Sequence, residues 1–253
     1  MQNAGESKVI DLLQTKINQL EMSMVDLLNT QLWTTRTGAY EMWSIPDVCF
    51  EPFNGGQGGT NWADPTYTGD GTGYGRISIA SDANLWWRPM AYSATGDDSP
   101  TETAATADTT YDMPTADATF NLANLSHLYN MCSNGSDAPN LFIMPMNLYE
   151  KFESLLITYY KYGPDAAMVD AGIEHIKWRG AAVIWDRSCT AGTVYALNTK
   201  YLKFITCTGR NMHSTPFTVP HNQDVRVSKI IYSGQLACSN RARQGMWTDV
   251  TFA

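Results

Sequence analysis

The chain has 253 residues, of which 43% are hydrophobic, and a formal net charge of −8. This length and apolar content are sufficient for a large core in one domain or two. The acidic balance, with a pI near 4.9, excludes a protein that holds nucleic acid through a strongly basic surface, because such a chain repels phosphates.

The charges are unevenly distributed along the chain. Residues 40–118 hold twelve acids and two bases, whereas residues 175–253 hold ten bases and three acids. Such asymmetry can guide head-to-tail contact between identical copies. Two unrelated solvated surfaces remain the alternative.

Five cysteines form no C-x-x-C pair. We expect them to be reduced and mostly buried, as in a protein made in the cytosol. No apolar run reaches the roughly 20 residues that span a bilayer, and we expect neither a signal peptide nor a membrane partner.

The first predicted element is a long helix over residues 7–33, with Ser7 as its N-cap. Its apolar stripe follows the three- and four-residue spacing of one helical face. The stripe consists of Ile10, Leu13, Ile17, Leu20, Met24 and Leu27. We expect it to be buried across a sheet or domain. A helical hairpin arm or a coiled coil is the alternative.

Residues 40–117 are rich in Gly, Thr, Asp and Ala, which predicts loops ordered by packing on a larger body. Trp86 and Trp87, followed by Arg88, stand out. In an extended chain the two indoles face opposite sides, one toward the core and one toward a neighbour or solvent. Residues 93–110 have almost no large apolar side chain, which predicts a mobile surface loop.

The middle of the chain predicts a helix, a strand and a second helix. Helical spacing covers residues 119–132, an apolar strand covers residues 140–144, and Pro145 ends that strand. Asn147 and Glu150 resemble a capping box that opens the second helix, which Gly163 and Pro164 stop. A loop follows to residue 172.

The last third predicts β structure. Residues 181–186, 193–197 and 202–207 are β-branched or aromatic runs separated by turn residues. Residues 225–238 and 246–252 include alternating stretches, and we interpret these two as a long hairpin.

No catalytic or cofactor-binding constellation is assembled in the sequence, so we expect no enzyme, cofactor or metal. A zinc site from Cys207, His213 and His221 lacks a fourth ligand and a tight pair. A calcium site at Asp64 and Asp70 fits no known loop. The pair Asp97-Asp98 lies in sequence too mobile for acid–base work.

Taken in order, these elements resemble the major capsid proteins of tailed bacteriophages, with the Hong Kong-phage capsid fold. The segments that carry the resemblance are the long helix, Asn84-Leu85-Trp86-Trp87-Arg88, residues 120–156, Trp178 to Asp186, Tyr195 to Leu202, and residues 222–252. Together they cover nearly the whole chain. In one departure, only about six residues precede the long helix, where the family carries an N-terminal arm and an extended loop. Either this sequence is an N-terminally incomplete version or those elements are absent, and we expect no cross-linking lysine.

The resemblance implies a mixed α/β (α+β) capsid subunit with two domains. Residues 1–37 and 204–253 would form the peripheral domain around the spine helix. Residues 38–203 would form the axial domain, with a Gly-rich insertion at about 50–118. The loop after the second central helix would lie at the ring axis, with Tyr160, Lys161, Tyr162, Asp165, Met168 and Asp170 as contact residues. Trp86, Trp87 and Arg88 are further interface candidates.

The implied function is self-assembly of hexamers and pentamers into an icosahedral shell around double-stranded DNA. Implied partners are identical copies, scaffold, portal and decoration proteins, and DNA held without sequence-specific contact, all in a virion assembled in the host cytoplasm. A nanocompartment shell of the same fold is one alternative. A carbohydrate-binding module with Trp62, Trp86 and Trp87 as its platform is another, and a hydrolase is a third.

Overall fold

The computed structural model describes the backbone of residues 6–36, 41–49, 66–67, 71–72, 74–77, 86–87, 89–93, 119–160, 176–219, 221, 225–248 and 250–251. At residues 6–13, 66–67, 71–72, 76, 91–93 and 157–160 the description covers the backbone alone. The predicted loops at 93–110 and 160–172 lie outside the described residues, except that Ser93 ends a strand and Tyr160 ends a helix. The Gly-rich run at 55–59 and Arg88 also lie outside them.

Four α-helices and twelve short strands make up the described chain. The helices are α1 (Glu6–Trp33), α2 (Ile45–Cys49), α3 (Leu122–Cys132) and α4 (Met146–Tyr160). The first six strands are β1 (Thr66–Tyr67), β2 (Gly71–Thr72), β3 (Met90–Ser93), β4 (Leu141–Met144), β5 (Lys177–Trp178) and β6 (Ala181–Trp185). The last six are β7 (Val194–Leu197), β8 (Leu202–Thr206), β9 (His213–Ser214), β10 (Ile230–Ile231), β11 (Gly234–Cys238) and β12 (Gly245–Thr248). The mixed α+β class is confirmed.

A mixed sheet in the described chain has the strand order β3-β12-β7-β4-β6-β5. The pairs β12–β3 and β4–β6 are parallel, and the other three are antiparallel. Side chains alternate between its two faces, as the pleat requires. Phe142, Val194 and Trp247 face α3 and α4, whereas Ile143, Tyr195 and Met246 face the end of α1 and α2. The sheet is therefore the middle of three layers.

Local sequence explains the helices that cover the first face. Asn121 caps α3 by accepting the amide of Asn124 at 2.7 Å. The α4 helix begins at Met146, directly after Pro145, whose carbonyl accepts the amides of Leu148 and Tyr149. The predicted capping box is therefore wrong, because Asn147 lies inside the first turn rather than before it.

The α3 helix lies very close to the sheet at Gly245. A Cβ built at this position would collide with the Sγ of Cys132 on α3. A side chain here would force the helix away from the strand, which explains why a glycine starts β12 in the middle of a sheet.

A second structural unit is a two-stranded ribbon, which we name the arm, formed by residues 202–219 and 225–238. The β8 and β11 strands pair from Leu202 opposite Cys238 to Thr206 opposite Gly234. Further out, β9 pairs with β10, and Thr218 bridges to Val227. Between the two ladders, residues 207–212 lie opposite residues 232–233, a bulge that uses positive φ at Gly209 and Met212.

The predicted hairpin between residues 225–238 and 246–252 is wrong. The β11 strand pairs with β8, and β12 joins the large sheet between β3 and β7. A short turn at Arg241–Arg243 redirects the chain between β11 and β12. Residues 245–248, predicted for the peripheral domain, thus share a sheet with strands predicted for the axial domain. The two-domain division itself stays a prediction.

The predicted long helix is present as α1, although it begins at Glu6, so Ser7 lies inside it rather than at the N-cap. Its predicted stripe is not buried within the chain. Leu20 is 48% and Leu27 is 53% exposed, and Ile17 and Met24 are half-buried. The side chains of Ile10 and Leu13 lie outside the described residues.

Candidate assembly surfaces

The α1 helix joins the body of the chain at its C-terminal end. The Trp33 ring packs on Tyr195 of β7, with centroids 5.3 Å apart. One turn earlier, Asn29 Nδ2 donates to Asp186 Oδ1 at 3.4 Å and to Ser188 Oγ at 3.2 Å. These contacts fix α1 on the sheet, while the rest of the helix extends beyond them.

A buried carboxylate links the end of α1 to α2. Asp47 Oδ2 accepts the amide of Ser44 at 2.9 Å and its hydroxyl at 2.8 Å, and Ser44 Oγ accepts the Asp47 amide at 3.2 Å. This reciprocal pair is a capping box, with Pro46 in the first turn. The same carboxylate accepts the backbone amide of Arg36, just after α1, at 3.2 Å.

A buried guanidinium joins α2 to the turn before β12. Arg241 is fully buried and donates from Nε to the Val48 carbonyl at 2.7 Å and from Nη2 to the Asp47 carbonyl at 3.2 Å. Its guanidinium also lies 5.4 Å from the centre of the Tyr74 ring. These charge-assisted bonds satisfy carbonyls at the end of α2.

Tyr74 extends this cluster to the arm. Its hydroxyl donates to the Leu236 carbonyl at 3.1 Å and accepts the Cys238 amide at 2.8 Å. Burial raises the pKa of Tyr74 to about 12. We name Trp33, Arg36, Asp47, Tyr74 and Arg241 the anchor, and both α1 and the arm attach to it.

Beyond the anchor, α1 presents apolar side chains on two sides. Met22 is 70% and Val25 is 58% exposed, and their three- and four-residue steps continue the line of Asn29 and Trp33. Leu20 and Leu27 lie on roughly the opposite side, given about 3.6 residues per turn. Leu20 and Leu27 of the predicted stripe therefore lie away from the line through Asn29 and Trp33, which makes the contact with the body.

The arm also exposes apolar side chains. Phe204 and Ile205 are about half exposed near its base, and Phe217, Val219 and Val225 are exposed toward its far end. Segment 202–238 carries four bases, Lys203, Arg210, Arg226 and Lys229, and one acid, Asp224. Exposed apolar side chains together with one predominant sign of charge are typical of a contact site.

The structure separates the three predicted interface residues at 86–88. Trp87 is buried at 5%, and Trp86 is 59% exposed. One indole is thus buried and the other exposed, but the two do not face opposite sides, because their rings pack together with centroids 5.3 Å apart in a helical turn. Trp87 packs near Tyr74, with centroids 6.4 Å apart, so it is not available as a sugar-stacking platform.

The predicted axial-loop residues stay untested, because Lys161, Tyr162, Asp165, Met168 and Asp170 lie outside the described residues. Tyr160 ends α4, and its side chain also lies outside them. Their position at the ring axis therefore stays a prediction.

Four of the five cysteines are buried, as predicted, and all five are free thiols. Burial raises the pKa of Cys132 and Cys189 to about 12 and that of Cys238 to about 11. These thiols stay protonated near neutral pH and so are not nucleophiles. Within the described residues, no cluster of three His, Cys, Asp or Glu side chains is placed to hold a metal ion.

Across the described part of the chain, no helix is both long enough and apolar enough to span a bilayer.

Sequence reasoning missed the anchor and the pairing of β8 with β11 that builds the arm. The spacing Ser44-x-x-Asp47 with Pro46 was a readable capping signal. The partner Arg241 lies 194 positions from Asp47, and no local pattern connects them.

No protein-family model and no curated protein matches the chain. Among solved structures, it is similar to a chain of the cyanophage A-1(L) capsid asymmetric unit, with a TM-score of 0.63 and 13% identity over 97% of this chain and 71% of that chain. A virus-like particle from Pyrococcus furiosus matches 50% of this chain and 47% of that chain, at 16% identity and a TM-score of 0.33. The second likeness carries no argument. The first shows that the chain has a capsid-like fold.

Proposed function

We propose that this chain is a shell-forming capsid subunit and, more specifically, the major capsid protein of a tailed bacteriophage with the Hong Kong-phage fold. The observation that carries the proposal is the structural likeness to the cyanophage capsid chain over 97% of this chain. A likeness of that extent includes both the sheet and the attachments around it, rather than one widespread motif. The role is structural rather than enzymatic.

The exposed apolar surfaces support this role. Soluble monomers rarely expose large contiguous apolar patches, whereas α1 and the arm each carry several half-exposed or more exposed apolar side chains. In a shell, neighbouring copies cover such surfaces. Because α1 and the arm are chemically different, a contact between them is head-to-tail, and such contacts close into rings of five or six that tile a shell.

The net charge supports an inner shell surface that does not bind DNA tightly. With a net charge of −8, the subunit as a whole repels phosphates, so packaged double-stranded DNA would be held without sequence-specific contact. Scaffold, portal and decoration proteins are proposed as further partners, and the virion as the final location.

The direct test is to examine the purified chain by sedimentation velocity and negative-stain electron microscopy, over a range of protein and salt concentrations. Closed icosahedral particles built of rings are expected. A species that stays monomeric under all of these conditions contradicts the proposal.

A second measurement separates a viral shell from a nanocompartment. Particles isolated from infected or producing cells are treated with nuclease and then opened. Protected double-stranded DNA is expected. Particles that hold protein cargo and no DNA would contradict the phage assignment while leaving the shell intact.

A further inference from the structure

The α1 helix carries an exposed patch that continues its buried contact line. Met22 and Val25 are the most exposed large apolar side chains in the described part of α1. They lie between Glu21 and Asp26 on the helix surface, and with Asn18 these residues line one shallow depression. We name these five residues the overhang patch. It is an apolar strip with an acidic rim.

The far end of the arm carries the complementary chemistry. Phe217, Val219 and Val225 are 51%, 64% and 48% exposed, and the bridge between Thr218 and Val227 holds the two strands together beside them. Arg226 and Lys229, both exposed, follow Val225 along the same strand of the arm. We name Phe217, Val219, Val225, Arg226 and Lys229 the tip patch. It is apolar with a basic rim.

We propose that the tip patch of one copy docks on the overhang patch of a neighbouring copy. This inference rests on the proposed shell function and names the contact that joins subunits. Both patches are exposed in the same chain, so they do not cover each other within one subunit. The apolar side chains supply the buried area, and the opposite charges set orientation and partner choice.

The line of α1 residues that would receive the neighbour already forms a contact at its C-terminal end. Asn29 and Trp33 use it to hold the body of the same chain, and Met22 and Val25 repeat it two turns further out. A neighbour seated on the overhang patch extends that packed line along the helix. Because the two patches differ, the contact is heterologous and propagates from copy to copy.

The first test reverses the charges on each side. Glu21→Lys with Asp26→Lys, and separately Arg226→Glu with Lys229→Glu, should each raise the protein concentration needed for assembly by roughly tenfold. The quadruple variant, in which all four charges are reversed, should assemble at a protein concentration close to that of the wild type. Lys16→Glu, an exposed change on another side of α1, is the matched control and should have little effect.

Circular dichroism and thermal melting confirm that each variant is folded, which is expected because all five positions are exposed. If both double variants assemble as the wild type does, or if the quadruple variant does not regain assembly, the docking proposal is overturned and the shell proposal stands. If the wild type does not assemble at all, both proposals fail.

The second test traps the contact with a disulfide. Val25→Cys and Val219→Cys are combined in a Cys207→Ser background, since Cys207 is exposed and the other four thiols are buried. Mild oxidation of assembled particles should give a ladder of covalent multimers on a non-reducing gel. Each single-cysteine variant should remain monomeric.

Covalent dimers from the Val219→Cys variant alone would show that arm ends meet each other rather than α1, which overturns the proposal. The absence of a ladder from particles that do assemble would overturn it as well.

Discussion

Two buried ionisable side chains lie where α1, α2 and the turn before β12 meet. Asp47 and Arg241 are both fully buried, and such groups are tolerated only when hydrogen bonds replace their water shell. Asp47 accepts from Ser44 and Arg36, and Arg241 donates to the carbonyls of Asp47 and Val48. The Asp47 bonds connect the end of α1 to the start of α2, and the Arg241 bonds join segments more than 190 residues apart.

Replacing the guanidinium should therefore destabilise the subunit. Arg241→Leu leaves two buried carbonyls without their donors, and we expect it to lower the free energy of unfolding by about 2–4 kcal/mol. Urea denaturation followed by tryptophan fluorescence measures this. Arg243→Leu, in the same turn and partly exposed, is the control and should change the free energy by less. Equal losses of unfolding free energy in the two variants would show that the Arg241 guanidinium does not stabilise the anchor.

Alkaline pH should weaken the folded subunit. Burial raises the pKa of Tyr74 to about 12 and that of Cys238 to about 11, above their ordinary values near 10 and 8.5. The folded state thus holds protons that the unfolded state has already lost, so the stability is full below the ordinary values and falls as pH rises through the raised ones.

Urea denaturation at pH 8, 10 and 11 checks this, and the free energy of unfolding should decrease across the series. Tyr74→Phe should reduce the slope above pH 10. A free energy that does not change between pH 8 and 11 would mean that these groups are not buried as described.

At the scale of elements, substitutions on two sides of α1 should change the free energy of unfolding by different amounts. Leu20 is half exposed and points away from the body, so Leu20→Asp should change the free energy of unfolding by only about 0.5 kcal/mol or less. Trp33→Ala, which empties a buried site at the anchor, should lower it by about 3–5 kcal/mol. Thermal melting of the unassembled subunits compares the two. A large loss for Leu20→Asp would restore the buried stripe.

The elements that the sequence predicted correctly are those that depend on neighbouring residues. The α3 helix and the strands β4, β6, β7 and β8 lie within a few residues of their predicted positions, because periodicity and turn residues are local signals. The partners of β11 and β12 depend on pairing across the chain, and alternation alone does not identify a partner strand.

The side of α1 that contacts the body could not be identified from the sequence for a related reason. Apolar residues occur on two sides of the helix, and the sequence pattern weighs both sides equally. Asn29 and Trp33 settle which side meets the body, through contacts with Asp186, Ser188 and Tyr195 more than 150 residues away. The candidate surfaces therefore required the structure, whereas the existence of the helix did not.

At the scale of the whole molecule, the axial loop remains a prediction about how copies meet. Met168→Glu would place five or six like charges around one axis in a ring, where their repulsion adds up. We expect a folded subunit that fails to form rings. Size-exclusion chromatography with light scattering, supported by circular dichroism, measures this. Assembly at the wild-type protein concentration and salt would show that the loop is not at the axis.

The position of β12 in the sheet has a consequence for the timing of assembly during synthesis. Gly245 pairs in parallel with Met90 on one side and antiparallel with Ala196 on the other. Until residues 241–248 leave the ribosome, β3 and β7 lack the strand that joins them, and Arg241 is missing from the anchor. A nascent chain on a polysome thus lacks both the strand that completes the sheet and the guanidinium that completes the anchor, so we expect neighbouring unfinished chains not to seed a shell.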